Sequence, residues 1–139
     1  MPERPALFDP NVIRSLADEL NSPDIALRFL GEYLRMLPER LKSILTALDD
    51  RDTAASLDAL LSLKITSSMT GALRAEACCR TLHALVREKN VEQARVEAGV
   101  LTATVAHLHA AAPTLLGWAK TDLEYKSIQG PAPQGSRRF

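Results

Sequence analysis

Aromatic residues, net charge and cysteines are all scarce in this chain of 139 residues. Only 4% of the residues are aromatic, and 17 basic residues balance 17 acidic ones. A chain without a basic excess lacks the surface that non-specific nucleic-acid binding requires, so we expect no nucleic-acid partner. The two cysteines, Cys78 and Cys79, are adjacent and would point in different directions on a helix, which argues against a disulfide between them.

Long apolar runs and catalytic motifs are missing as well. No run approaches the roughly 20 residues of a membrane span, and the first residues lack the apolar stretch of a signal peptide. We therefore expect a cytoplasmic protein without a membrane partner. The sequence has no Gly-rich phosphate loop, no Ser-His-Asp grouping and no metal-ligand spacing of Cys or His. These absences predict a protein that is not an enzyme and has neither a metal nor a cofactor.

The sequence is rich in Leu and Ala, and its apolar residues recur at helical spacing. Asp9-Pro10 and Ser22-Pro23 each combine a capping side chain with a proline suited to a first helical turn. The first helix should end near Leu20. In the second helix, apolar residues at spacings of three and four stay in phase from Ala26 to Leu48. Because they stay in phase across Pro38, we favour one kinked helix over two helices that meet there.

Three more helices are predicted. The first two span about 53–68 and 72–89, and the third starts near Val91 and frays after Trp118. Their inner faces would carry Leu57, Leu60, Leu63 and Ser67; Ala75, Cys79, Leu82 and Val86; and a stripe from Ala94 to Leu115, with Cys78 only flanking the core. The fold class is therefore all-α, an antiparallel up-down four-helix bundle with a short extra N-terminal helix. We expect an N-terminal lead over 1–8, the bundle over 9–125, and a disordered Gly- and Pro-rich tail over 126–139.

One segment carries a resemblance to a known family. Residues 61–72 read Leu-Ser-Leu-Lys-Ile-Thr-Ser-Ser-Met-Thr-Gly-Ala. This is similar to the histidine-phosphotransfer (HPt) motif, in which a helix carries His-x-Leu-Lys-Gly-Ser-Ser/Ala before a Gly-Ala turn. The positions in register are Lys64, Thr66, Ser67, Gly71 and Ala72. Helix order and lengths extend the resemblance over residues 7 to about 116.

Two positions depart from the HPt motif, and they matter most for function. Leu61 stands where the resemblance implies the phosphoryl-accepting histidine, and leucine has no nucleophile. Ile65 stands where the family has a glycine that lets a receiver domain approach. The two residues lie at i and i+4, hence on one helix face, and Ser68 and Met69 extend the patch. By resemblance, Lys64 would help to neutralise a phosphoryl group. Without an acceptor, it would pair with an acidic partner residue or remain a solvated surface lysine.

The sequence therefore predicts a non-catalytic HPt-like module of a two-component phosphorelay. It would bind a response-regulator receiver domain or a histidine kinase through Leu61, Lys64, Ile65, Ser68 and Met69, as a scaffold or inhibitor. This requires a partly exposed patch, since exposed apolar clusters often mark interfaces, whereas the competing interpretation buries Leu61 and Ile65 in the core. Three other hypotheses stay open: phosphotransfer by a different histidine such as His83, a homodimer formed through the patch, and an unrelated helical bundle.

Overall fold

The computed structural model describes residues 5–129, and side chains as far as residue 124. Within that range the chain forms six helices and no strand. They are α1 (Pro10–Leu20), α2 (Pro23–Asp49), α3 (Thr53–Thr70), α4 (Leu73–Arg87), α5 (Val91–Ala110) and α6 (Ala112–Gln129). Two segments lie outside the described part of the chain: residues 1–4 of the expected lead and residues 130–139 of the expected tail.

The helix starts predicted from the sequence are confirmed. Asp9 caps α1 by accepting a hydrogen bond from the Asn11 amide, and Ser22 caps α2 by accepting one from the Ile25 amide. Asn21 ends α1 in the left-handed region, with a φ of 53°. Each cap satisfies backbone groups that have no partner inside the helix. α2 continues through Pro38 as one helix of 27 residues, as the unbroken apolar spacing predicted.

The four helices α2 to α5 form a closed ring, which confirms the predicted four-helix bundle. Each packs on its neighbour in sequence, and α5 returns to pack on α2. Short links between consecutive helices make the arrangement antiparallel. The core consists mainly of Leu, Ile and Ala side chains, and the largest fully buried ones include Leu30, Leu37, Leu60, Leu82 and Leu101. α1 lies outside this ring and packs on α2 and α3.

The end of the bundle differs from the expected single last helix. α5 stops at Ala110, and the chain turns by 60° into the separate helix α6. Pro113, in the first turn of α6, has no amide hydrogen and cannot continue the hydrogen bonding of α5. α6 does not fray after Trp118 but runs to Gln129, past the expected domain boundary at residue 125. Its buried residues Leu115, Ala119 and Leu123 lie where α6 packs on α1 and α2.

Two inner-face predictions also need correction. Cys78 is buried rather than flanking the core, because it faces Thr104 of α5, 3.9 Å away. In the first turns of α3, Ser56 is buried while Leu57 is only half-buried.

No single helix of the described chain is long and apolar enough to cross a membrane. By length and composition alone, α5 and the part of α6 up to Glu124 would qualify only as a pair, joined at the 60° bend.

Candidate functional site

α3 carries the predicted site and is fixed at both ends. At its start, the Asp52 carboxylate accepts a hydrogen bond of 3.0 Å from the Ala55 amide. At its end, Gly71 takes up a left-handed backbone with φ of 94°, which glycine adopts without the strain that a Cβ would cause. The Thr66 and Thr70 hydroxyls donate back to main-chain carbonyls one turn earlier. The helix therefore presents its outer face in a defined position.

That outer face is apolar along its middle. Leu61, Ile65 and Met69 are 41%, 48% and 41% exposed. We call these three residues the α3 stripe. Successive members are four residues apart, so they follow one side of the helix and span about 12 Å along its axis. The predicted exposure of Leu61 and Ile65 is confirmed, and the interpretation that buries them in the core is wrong. Ser68 is exposed beside the stripe, and Lys64 is half-buried at its edge.

Beneath the stripe, a buried hydrogen bond holds α3 to α2. The Tyr33 and Ser67 hydroxyl oxygens are 2.6 Å apart, and both residues are buried. Burial raises the pKa of Tyr33, so the phenol keeps its proton. A buried, mutually satisfied hydroxyl pair fixes the rotation of α3 about its axis, because turning the helix would leave both groups without a partner. The stripe therefore faces outward because the Tyr33–Ser67 hydrogen bond beneath it fixes the rotation of α3.

Polar groups and a shallow groove border the stripe on the α2 side. The Arg40 guanidinium donates to the Ser62 hydroxyl at 3.0 Å, one residue from Leu61. A groove of about 60 Å³ follows along α2 and reaches Thr66. Its walls are Phe29, Glu32, Tyr33, Met36, Arg40 and Thr66. The hydrogen bond from Arg35 lowers the pKa of Glu32, which keeps a charged pair at the rim. The motif does not indicate this groove, because all its walls except Thr66 come from α2, more than 20 positions earlier.

On the α4 side of the stripe, the Cys79 thiol is not an activated nucleophile. Burial raises the pKa of the Cys79 thiol to about 12, although the nearby Lys64 ammonium acts in the opposite direction. Such a thiol stays protonated near neutral pH and is a poor nucleophile. His83 lies on α4, half-buried. Among residues 5–129 there is no group of three or more His, Cys, Asp or Glu side chains that could hold a metal ion.

The turn that follows α3 is held by residues 5–9, which comprise the described part of the N-terminal lead and the Asp9 cap of α1; below, the lead means this segment. The Asp9 amide donates to the Gly71 carbonyl at 2.8 Å, and the Arg74 amide donates to the Ala6 carbonyl at 3.0 Å. The Arg74 side chain also donates to the Pro5 carbonyl. A Cβ at Gly71 would lie 2.4 Å from the Asp9 carbonyl oxygen. Gly71 is therefore required both by its backbone angle and by the close passage of the lead.

The arrangement is that of histidine-phosphotransfer domains: the chain has the HPt fold. It is similar to the crystal structure of histidine-containing phosphotransfer protein B from Pseudomonas aeruginosa PAO1, with a TM-score of 0.70 and 22% identity. The match covers 80% of this chain and 95% of that one. It is also similar to the HPt domain of a sensor hybrid histidine kinase from Shewanella, with a TM-score of 0.66 and 21% identity over 81% and 95% of the two chains. No family model matches the sequence, and neither does any curated protein sequence.

Proposed function

We propose that this protein is a non-catalytic HPt-like module of a two-component phosphorelay. It binds a receiver domain or a histidine kinase through the α3 stripe together with Lys64 and Ser68, and acts as a scaffold or inhibitor of that partner. The fold that it shares with a phosphotransfer protein and with the HPt domain of a hybrid kinase supports a role in a phosphorelay. The assignment of Leu61 to the acceptor position rests on the sequence motif.

The exposed α3 stripe is the observation that carries the proposal. An isolated exposed leucine is common on protein surfaces, whereas several exposed aliphatic side chains side by side are typical of interaction sites. The stripe lies on the helix whose motif resembles that of HPt domains, with Leu61 at the acceptor position. Lys64 and Arg40, one on each side, provide a cationic border for an acidic partner surface. An aliphatic centre with a polar rim is the usual anatomy of a protein interface.

The binding claim is tested with receiver domains and kinase transmitter domains from the same genome, by titration calorimetry against the purified protein. Leu61→Asp places a charge in the centre of the interface and is expected to weaken binding at least about tenfold. Val96→Asp is the matched control: Val96 is also an exposed aliphatic residue, but it lies on α5, which is not a neighbour of α3 in the four-helix ring. Binding that survives Leu61→Asp, or that Val96→Asp weakens equally, contradicts the proposed surface.

The non-catalytic claim has its own test, which also addresses His83 as an alternative acceptor. The protein is incubated with a phosphorylated receiver domain and with an active kinase, and acid-labile label is measured on it. We expect none, because no side chain on the outer face of α3 can accept a phosphoryl group and release it as imidazole does. Acid-labile label that disappears in His83→Ala would instead establish an active phosphotransfer protein with a relocated acceptor.

The homodimer alternative uses the same stripe, and sedimentation distinguishes it from the proposed function. If two copies bury the stripe against each other, the wild-type protein sediments as a dimer and Leu61→Asp as a monomer. The proposed function predicts a monomer for both at concentrations well above those of the binding assay. A wild-type dimer that Leu61→Asp dissociates would favour the self-association module.

A further inference from the structure

A second surface lies at the end of the bundle where α2 passes into α3 and α4 passes into α5. A half-open cavity of about 580 Å³ separates these four helices. That volume is within the range of small-molecule sites and about ten times that of the groove beside the α3 stripe. The cavity is far from the Gly71 turn, which closes the opposite end of the α3–α4 hairpin. None of the residues proposed to bind a partner lines it.

The interior of the cavity is aliphatic. Leu45 and Leu48 of α2 and Leu85 and Val86 of α4 line it, and each of these four side chains is only half-buried. These four side chains therefore leave apolar surface facing an open space. Apolar surface of this kind gains free energy when a ligand's hydrocarbon part covers it.

One buried hydroxyl at the cavity has no hydrogen-bond partner in the part of the chain that the structure describes. The buried polar residues of the described chain are Ser56, Ser67, Thr70 and Thr104. The last three are hydrogen-bonded, to Tyr33 and to main-chain carbonyls. Ser56 is 1% exposed and lines the cavity, but no hydrogen bond within residues 5–129 involves its hydroxyl. A buried hydroxyl left in this way is free to bond a ligand.

Two basic residues at the cavity have a strained, left-handed backbone conformation. Arg51 and Lys89 follow α2 and α4, line the cavity, and have φ angles of 55° and 61°. This left-handed position after a helix is one that glycine usually occupies, and a side chain there adds strain. The same turn with a basic residue occurs twice, and both copies border the same cavity. Strained residues that persist in a fold are often functional.

The side chains that line the cavity carry a net positive charge. Arg51, Lys89 and Arg95 face a single lining carboxylate, that of Asp49. Two helix C-termini and two helix N-termini meet at this end, so their opposite dipoles largely offset one another and the side chains set the sign. We propose that the cavity binds a small amphipathic carboxylate. Its chain would cover the four aliphatic residues, the Ser56 hydroxyl would hydrogen-bond to it, and its carboxylate would lie between Arg51 and Lys89.

The probe for this site is decanoate below its micellar concentration, measured by calorimetry and by amide chemical shifts of the full-length protein. We expect saturable binding with shifts centred on Ser56, Val91 and Ala94. Acetate, which has the head without the chain, should not bind. Decyltrimethylammonium, which has a similar chain with a cationic head, should bind at least about tenfold more weakly. Equal binding of the two decyl compounds, or decanoate shifts spread over the α3 stripe, would overturn the proposal.

Glycine variants separate ligand binding from a merely structural role of the cations. Arg51→Gly and Lys89→Gly relieve the left-handed strain, so each should raise the Tm by roughly 3 °C. Each should also weaken decanoate binding by about two- to fivefold, because one cation is lost. Asn21→Gly is the matched control, since it changes the third left-handed residue and lies outside the cavity. It should leave decanoate affinity unchanged. Unchanged affinity in both cation variants would refute the site, whether or not the Tm rises.

Discussion

Gly71→Ala tests whether the turn after α3 is fixed by the passage of the N-terminal lead. Gly71 has a φ of 94°, and an added Cβ would lie 2.4 Å from the Asp9 carbonyl oxygen and 3.1 Å from the Val12 Cβ. The first neighbour is main chain rather than the end of a flexible side chain, so relief requires the lead or the turn to move. The substitution should therefore destabilise the protein and displace the lead.

The size of the effect follows from two contributions. A left-handed backbone costs a residue with a Cβ about 1 kcal/mol more than glycine. Moving the lead away from the turn also breaks the 2.8 Å hydrogen bond from the Asp9 amide to the Gly71 carbonyl, which contributes about 1 kcal/mol. We expect a total loss of roughly 2–3 kcal/mol in the free energy of unfolding, equivalent to a fall in Tm of about 8 °C for a chain of this length.

Urea unfolding followed by circular dichroism measures this loss. Two further variants provide a control and separate the backbone contribution from the clash. Gly99→Ala is the control, because Gly99 is helical and a Cβ there meets no atom within 4 Å; it should stabilise the protein by about 0.5–1 kcal/mol. Gly71→Asn tolerates the left-handed backbone but keeps the clash, so it should cost about 1 kcal/mol less than Gly71→Ala. A Gly71→Ala protein within about 0.5 kcal/mol of wild type would refute the reasoning.

Three further outcomes are expected. Tyr33→Phe and Ser67→Ala should each lower the free energy of unfolding by about 1–2 kcal/mol, because each single change leaves a buried hydroxyl without its partner. The double variant should lose clearly less than the sum of the two. Strict additivity in a double-mutant cycle would contradict this. Since burial raises the pKa of Cys79 from 9.0 to about 12, the unfolded chain loses that thiol proton first, so stability should fall as pH rises from about 9 towards 12, and less so in Cys79→Ala. Leu61→Asp should change the free energy of unfolding by less than about 0.5 kcal/mol, since Leu61 is 41% exposed; a large loss would mean that it supports the fold.

Local chemistry explains why most helix boundaries could be predicted from the sequence. Asp9 and Ser22 cap their helices because each has a side-chain oxygen within reach of the free amides of the first turn. Asn21 and Gly71 end helices because their types tolerate a left-handed backbone. These signals lie within a few residues of the boundaries that they set, so a single sequence contains all of them.

The errors arose where apolar spacing hides a break or where contacts distant in sequence decide the outcome. The apolar spacing continues from Leu108 to Leu115 without a change of phase, so periodicity alone could not reveal the bend between α5 and α6. Pro113 was the available signal. Cys78 is buried because α5 packs over it at Thr104, a contact that its position on α4 does not indicate. The end cavity could not be predicted either, since it depends on how far four helix ends stand apart.

The candidate site was predictable to the extent that it follows from one helix. Because Leu60, Leu63 and Ser67 define the inner face of α3, simple geometry turns Leu61 and Ile65 outward. The groove beside them and the Tyr33–Ser67 hydrogen bond involve α2, and no spacing rule pairs those residues. Their identification required the tertiary structure.

The contact between α1 and α6 makes the two ends of the described part of the chain mutually dependent. α1 packs on α6, and the Arg14 guanidinium donates to the Asp122 carboxylate at 2.7 Å across their boundary. Both helices carry buried apolar residues, among them Ile13 of α1 and Leu123 of α6, so that separating the two helices would expose apolar surface. Amide hydrogens of α1 and α6 should therefore exchange with deuterium as one cooperative unit, at a rate distinct from that of the four-helix ring.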